Sequence, residues 1–331
     1  MTDTLPLKPI DEIVEKVADS VAERGEVRTA IKDVVDRGLR NVYFVGAGGS
    51  LICSYPAHYL LQRLAEVPVF QLQSDELNCS QPALMGEGSL VVLASYTGTT
   101  KETVAAATTA KRTGATVIAA AKEGSPLAEA ADISFRGKSD VFELIVAYAL
   151  LEATGADIDV PAVDEAFTSL EKALVSAVEE SDATLASIAS DFKDDDITYV
   201  LGSGPSQAWA YGFAMCYLQE MQWKHAAGFN SGEFFQGAFE MVDDSTAVIL
   251  WAGEDASRPM AERARTFLDT YAKRARTVDT TTLTLPGIPA EVRADFSPIV
   301  VGSLASRLAH HYESQRGHSL DQRHYMFKVE Y

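Results

Sequence analysis

Ser95-Tyr96-Thr97-Gly98-Thr99-Thr100-Lys101-Glu102-Thr103 places five serine and threonine hydroxyls within nine residues. The segment leaves an apolar run, Leu90 to Ala94, and enters a helical pattern, so hydroxyls and backbone N–H groups converge at the positive end of a helix dipole. A phosphate monoester is the natural guest of such a turn, and an ordinary Ser/Thr helix cap is the structural alternative. A second turn, Gly46-Ala47-Gly48-Gly49-Ser50, follows another strand signal in the same half of the chain. A third place for chemistry is Leu218-Gln219-Glu220-Met221-Gln222-Trp223-Lys224-His225, which reads as a helix. There Glu220 can leave an otherwise apolar and aromatic face, and a carboxylate desolvated in that way is a general base. A solvated helix glutamate is the competing account.

The elements that must position these residues form a repeat. Val42-Tyr43-Phe44-Val45-Gly46-Ala47-Gly48-Gly49-Ser50 returns as Thr198-Tyr199-Val200-Leu201-Gly202-Ser203-Gly204-Pro205-Ser206, and the strand signal Ser89–Ala94 is echoed by Thr246–Trp251. Each copy is a strand, a phosphate-sized turn and a helix start. In the first half, helices are expected over 11–30, 50–64 and 101–112, with strands over 41–45, 67–71, 90–94, 116–120 and 133–135. Gly124-Ser125-Pro126 opens a short helix, and Asp140 reads as the N-cap of a further one. The second half opens with an amphipathic stretch over 164–192. Strands follow over 198–202, 247–251 and 276–279, and helices over 206–225, 258–273 and 296–315. This alternation predicts an α/β protein with doubly wound parallel sheets. The breakers in Thr154–Pro161 place a boundary between a first domain, 1–155, and a second, 162–331, which ends in a tail over 317–331.

Composition narrows the function. The chain of 331 residues carries 47 acidic against 28 basic residues, a formal charge of −19. Such a field repels nucleic acid and anionic membrane, so neither is expected as a partner. The N-terminus, Met1-Thr2-Asp3-Thr4-Leu5-Pro6, lacks the pattern of a signal peptide, and the protein is expected to be soluble and cytoplasmic. Cys53, Cys79 and Cys216 are scattered, fit neither a disulfide framework nor a zinc site, and read as buried thiols. No metal-ligand spacing is present; His310 and His311 are adjacent on a helix and point apart. The glycine turns lack the lysine of a P-loop and the G-x-G-x-x-G spacing, so no cofactor is expected.

The two turns resemble the phosphosugar-binding motifs of the sugar isomerase (SIS) fold, the second of which typically reads Ser-x-Ser-Gly-x-Thr-x-[Asp/Glu]-Thr. The resemblance extends over nearly the whole chain as two tandem SIS-type, flavodoxin-like domains. It is similar to the isomerase part of glucosamine-6-phosphate synthase and to the fructosamine 6-phosphate deglycases. It implies that Gly48, Ser50, Ser95, Thr97 and Thr100 hold a sugar phosphate and that Glu220 is the catalytic base. It also implies a homodimer or higher homo-oligomer, in which the segment around Gln236 serves a neighbour's site, and a C-terminal tail that closes over the sugar with Lys328.

Two departures bear on the chemistry. The family motif Gly-Glu-x-x-His-Gly reads Gly232-Glu233-Phe234-Phe235-Gln236-Gly237, so an amide replaces the histidine assigned to opening the sugar ring. An amide hydrogen-bonds but exchanges no proton there. The substrate then enters open, another group opens it, or the chain only binds sugars; His225, taken as lying a turn beyond Glu220 on the same helix, and His318 and His324 in the tail are the possible replacements. The synthase also has a lysine three residues before its glutamate, where this chain has Tyr217, so an imine-forming amination is disfavoured. The expectation is deglycation of a 6-phosphorylated ketosamine. An aldose–ketose phosphosugar isomerase and a non-catalytic sugar-phosphate sensor are the alternatives.

Overall fold

The computed structural model describes residues 4–330. Met1, Thr2, Asp3 and Tyr331 lie outside the described residues, so the first three positions of the expected leaderless N-terminus and the last of the tail over 317–331 fall there. The chain forms two compact units, residues 15–168 and residues 4–14 with 169–330. It begins with α1 (Ile10–Ile13), α2 (Val17–Ala22) and α3 (Arg24–Asp36). Where one continuous helix over 11–30 is expected, Lys16 takes a left-handed φ of 69° and breaks it. Tertiary contacts favour the break within the first unit: the Lys16 ammonium sits 3.8 Å from the Tyr96 ring centroid, and Ser20 Oγ accepts the Lys138 N–H at 2.8 Å.

The first unit continues through β1 (Asn41–Gly46), α4 (Gly49–Leu64), β2 (Val69–Gln73), α5 (Ser74–Cys79), β3 (Ser89–Ser95), α6 (Lys101–Arg112), β4 (Thr116–Ala121), α7 (Pro126–Ala130), β5 (Ile133–Phe135) and α8 (Ser139–Ala153). The strands form one parallel sheet in the order β2-β1-β3-β4-β5. β1 and β3 are buried along their whole length, which is why they read as continuous apolar runs rather than alternating ones. Tyr43, Val45, Val91 and Leu93 pack with Ala106, Ala107 and Ala110 of α6. α4 lies with α3 and α8, whereas α6 lies with α5 and α7. The connections therefore leave β1 and β3 in opposite directions, and their carboxyl ends flank the crevice where such sheets bind ligands.

Three details differ from the expectations. β2 starts at Val69, two residues late, and Gln73 at its end accepts the Asp75 and Glu76 N–H groups to open α5. α8 begins at Ser139 with Lys138 at the N-cap, so Asp140 lies inside the first turn, where it pairs with Lys138 at 2.6 Å. α9 (Val160–Phe192) starts ahead of Asp164, because Asp159 accepts the Ala162 N–H at 3.0 Å and Pro161 fits a first turn. The division between the two units falls within α9.

The second unit contains β6 (Ile197–Gly202), a 3₁₀ turn (Gly204–Ser206), α10 (Gln207–Gly212), a π-helical segment (Phe213–Met221), β7 (His225–Asn230), 3₁₀ turns (Glu233–Gln236 and Ala238–Met241), β8 (Ala247–Ala252), α11 (Arg258–Tyr271), β9 (Ala275–Asp279), a 3₁₀ turn (Thr280–Thr282) and α12 (Arg293–Arg316). Its parallel sheet has the order β7-β6-β8-β9. Tyr199, Leu201, Val248 and Leu250 pack with Phe234, Ala261, Ala264 and Leu268. Trp251 meets Phe213, which in turn meets Tyr312 of α12, at centroid distances of 5.9 and 6.2 Å. Both sheets are thus all-parallel and doubly wound. Among the described residues no helix is long and apolar enough to cross a membrane. No disulfide joins the cysteines, and Cys79 is exposed, contrary to the expectation of buried thiols.

Candidate functional site

In the first unit the two sequence motifs reach the same edge. The turn after β1 and the turn after β3 leave neighbouring parallel strands, paired through Val45 and Leu93, at their carboxyl ends. Gly48 has φ 53° and a Cβ there would meet nothing within 4 Å, so the turn lies open in front of the N-terminus of α4. Ser50 is half-buried in the first turn of that helix. Across from it, buried Ser95 accepts the Gly98 N–H at 3.1 Å, and its hydroxyl pairs with that of Thr100 at 3.1 Å. Thr100 is the N-cap residue of α6, yet its side chain makes no cap hydrogen bond. Thr97 is exposed and pairs with the Thr99 hydroxyl at 2.7 Å. Gly98 is required for this shape: its φ is 67°, and a Cβ would stand 2.0 Å from Ser125 Oγ. Gly48, Ser50, Ser95, Thr97 and Thr100 therefore line one rim, formed by two helix N-termini and hydroxyls that rotate to donate.

The corresponding turn of the second unit is filled by the chain itself. Gly204 has φ 51°, but a Cβ there would lie 2.3 Å from Ser257 Oγ and 2.5 Å from Asp255 Oδ1. Asp255 is buried and accepts the Ser257 N–H at 2.8 Å. A serine and a carboxylate of the protein thus pack against Gly204 where Gly48 has nothing within 4 Å.

Glu220 lies near the end of the π-helical segment. Its carboxylate is 24% exposed and its Oε1 is 2.9 Å from Nη2 of Arg323, a tail residue that is itself 14% exposed. Burial pushes the Glu220 carboxyl above the ordinary carboxylate range, and the Arg323 guanidinium works against that rise. On the same segment the Cys216 thiol is pushed up to about 12, by burial first and then by the Glu220 charge, so it stays a thiol. π-helical turns are rare and widen the backbone locally, which sets Glu220 off the regular helical face.

The helix does not run on to His225. It ends at Met221, Trp223 adopts φ 53°, and the Lys224 N–H donates back to Leu218 O at 2.8 Å, closing a Schellman-like turn. His225 is consequently the exposed first residue of β7, not a neighbour of Glu220 on one helix. A strand was not expected here because His225-Ala226-Ala227-Gly228-Phe229-Asn230 holds no β-branched residue; it is recruited by pairing with β6 in full register. The left-handed Trp223 carries no glycine signal either. Its ring is held from outside, stacked on His324 at 3.6 Å and meeting His318 edge-on at 4.4 Å.

The tail is fastened around this turn. Gln222 donates to His318 O at 2.7 Å, and Arg316 Nη1 donates to Gln222 O and Oε1 at 2.6 and 2.8 Å. The ammonium of exposed Lys328 donates to the Arg323 carbonyl. Glu220, His318, His324 and Lys328 are thus assembled by one tail. Gln236 is not among them: it is exposed at the end of a 3₁₀ turn that follows the carboxyl end of β7, whereas Glu220 precedes the amino end of that strand. Sequence reasoning missed Arg323, Trp223 and Gln222. The available signal was Arg323 lying beside His324 in the segment expected to close over the site.

The SIS domain family matches residues 37–151. Over 319 residues the chain is 31% identical to the fructosamine deglycase FrlB of Bacillus subtilis, covering 92% of this chain and 97% of that one. It is 24% identical to the fructoselysine 6-phosphate deglycase of Escherichia coli K12, over 90% of this chain and 89% of the relative. A solved Bacillus subtilis structure described as a phosphosugar isomerase superposes with a TM-score of 0.89 at 29% identity, over 95% of this chain and all of that one. A Salmonella typhimurium structure described in the same way gives 0.90 at 29% identity, over 93% and 97% of the two chains. With whole-length similarity of this order, an open hydroxyl-lined turn in one unit and a half-buried glutamate in the other, the chain belongs to the SIS-domain superfamily of phosphosugar isomerases and deglycases.

Proposed function

We propose that the protein deglycates a 6-phosphorylated ketosamine. The observation that carries this reading is Glu220, a half-buried carboxylate that burial pushes above its ordinary range and that stands 2.9 Å from a guanidinium nitrogen. Glu220 takes a proton from C1 of the open-chain ketosamine, giving an enaminol once the C2 oxygen is protonated. A proton then returns at C2 as the nitrogen loses one, which leaves an aldose imine. Water adds to the C1=N bond, the C–N bond breaks, and sugar 6-phosphate and free amine depart. Gly48, Ser50, Ser95, Thr97 and Thr100 anchor the phosphate, and the similarity to a fructosamine deglycase favours an amine-bearing substrate over a plain ketose phosphate. Tyr217 in place of the synthase lysine supports a route without an enzyme-bound imine.

Gln236 favours a second reading, a sugar-phosphate sensor, because its amide cannot supply the proton that opens a ring. The two separate in one experiment. Incubated with fructosamine 6-phosphates, the wild-type protein should release amine and exchange the C1 proton with deuterated solvent. In Glu220→Gln both should fall by about 10²–10⁴-fold while sugar-phosphate binding survives. Binding without amine release, isomerisation or exchange in the wild type leaves the sensor.

A further inference from the structure

The approach of Arg323 to Glu220 is the feature of the tail that no motif explains. Nη2 faces Glu220 Oε1 at 2.9 Å, Nη1 donates to the carbonyls of Leu320 and Gln322, and Nε is buried with no hydrogen-bond partner among the described residues. The fork is therefore aimed by its own tail turn at one carboxylate, and the Lys328 ammonium on the Arg323 carbonyl ties the end of the tail to the same residue. Cys216 faces Glu220 from its own helix, Arg323 from the tail, and His318, His324 and Arg316 gather on the neighbouring Trp223 and Gln222. Arg323 is the cation in ion-pair contact with it.

A base drawn into an apolar setting faces two requirements. It must be charged to accept a proton, and its lone pair must point where the substrate C–H will stand. Burial opposes the first, and a carboxylate on a widened helical turn does not by itself satisfy the second. A guanidinium answers both, because it stays charged at every working pH and binds in a fixed planar geometry. We infer that Arg323 is a positioning residue for Glu220, holding the carboxylate in place and in its charged form without itself touching the reacting atoms. This rests on the reading of Glu220 as the base.

The test compares pH profiles of C1-proton exchange for the wild type, the neutral substitutions Arg323→Gln and Arg323→Met, and Arg323→Lys. Loss of the cation raises the Glu220 pKa further, so the acid limb in the neutral variants should move to higher pH by about one unit or more, with much of the high-pH rate retained. Arg323→Lys should keep the limb close to the wild-type position. A carbon-13 titration of the Glu220 carboxyl in the resting protein should show the same displacement without requiring turnover. If folded Arg323→Gln or Arg323→Met loses rate equally at all pH values and its Glu220 titration is unmoved, Arg323 is structural only and the inference is wrong. Glu220→Gln run alongside keeps the two levels apart: undiminished exchange in it overturns the base, whereas lost exchange with an unmoved acid limb overturns Arg323 alone.

Discussion

Ser95 and Thr97 lie two residues apart in one turn and carry different burdens. Ser95 is buried, accepts the Gly98 N–H and pairs with Thr100, so it shapes the turn as well as offering a ligand. Thr97 is exposed, and among the described residues its hydroxyl bonds only to the Thr99 hydroxyl and N–H. Thr97→Ala should therefore weaken sugar 6-phosphate binding by about 1–3 kcal/mol, the scale of a hydrogen bond to a charged group, with stability changed by no more than about 0.5 kcal/mol. Ser95→Ala should lower both. Calorimetry with a sugar and its 6-phosphate checks the premise, since equal affinities would remove the phosphate from the assignment. The hydroxyl count alone marked the turn. Which of its members shape the loop and which face outward was legible only once the side chains had partners.

At the scale of elements, the carboxyl end of β9 is locked to the start of α11 by one pair. Arg258 donates to both Asp279 oxygens at 2.9 and 2.7 Å. Burial works to raise the Asp279 pKa, but hydrogen bonds from Arg258 and Thr281 outweigh it and hold the group at about 2, below its ordinary 3.8. A carboxyl depressed by folding stabilises the native state above its unfolded pKa and loses that contribution as the pH falls through its folded value. Asp279→Asn should then cost about 2 kcal/mol near neutrality, and urea titrations should show the gap narrowing between pH 5 and pH 3. An equal gap at both pH values would mean that the pair contributes nothing through ionisation.

For the molecule as a whole, the tail that carries Arg323 also leaves Tyr325 71% and Phe327 83% exposed, together with Val329 at 52%. Apolar groups of that size, close to a candidate base, call for cover. Gln236 and Glu220 lie at opposite ends of β7, and we propose, as the family resemblance implies, that Gln236 serves another copy's pocket. We expect light scattering to give a mass of two chains or more, despite the repulsion expected from a net charge of −19. A monomer that keeps full activity would contradict this expectation.

Features whose signal is local were legible in the residues alone. α6 and β5 carry the expected boundaries, and the glycine turns are glycine because φ near +50 to +70° is open to almost nothing else at Gly48, Gly98 and Gly204. The alternation of strand and helix signals announced the doubly wound parallel sheets, and the burial of β1 and β3 along their whole length agrees with it. The tertiary structure alone decided what depends on contacts between distant residues. β7 is a strand because β6 offers it a ladder, although the sequence puts its first residue, His225, at the end of a helix and marks no strand in the rest. Trp223 turns left-handed because His318 and His324, about a hundred positions on, hold its ring. The second glycine turn, so like the first in sequence, has Ser257 and Asp255 packed against Gly204, while Gly48 has nothing within 4 Å. Glu220 was visible as a carboxylate on an apolar face, but its cation comes from a tail whose path no local pattern encodes.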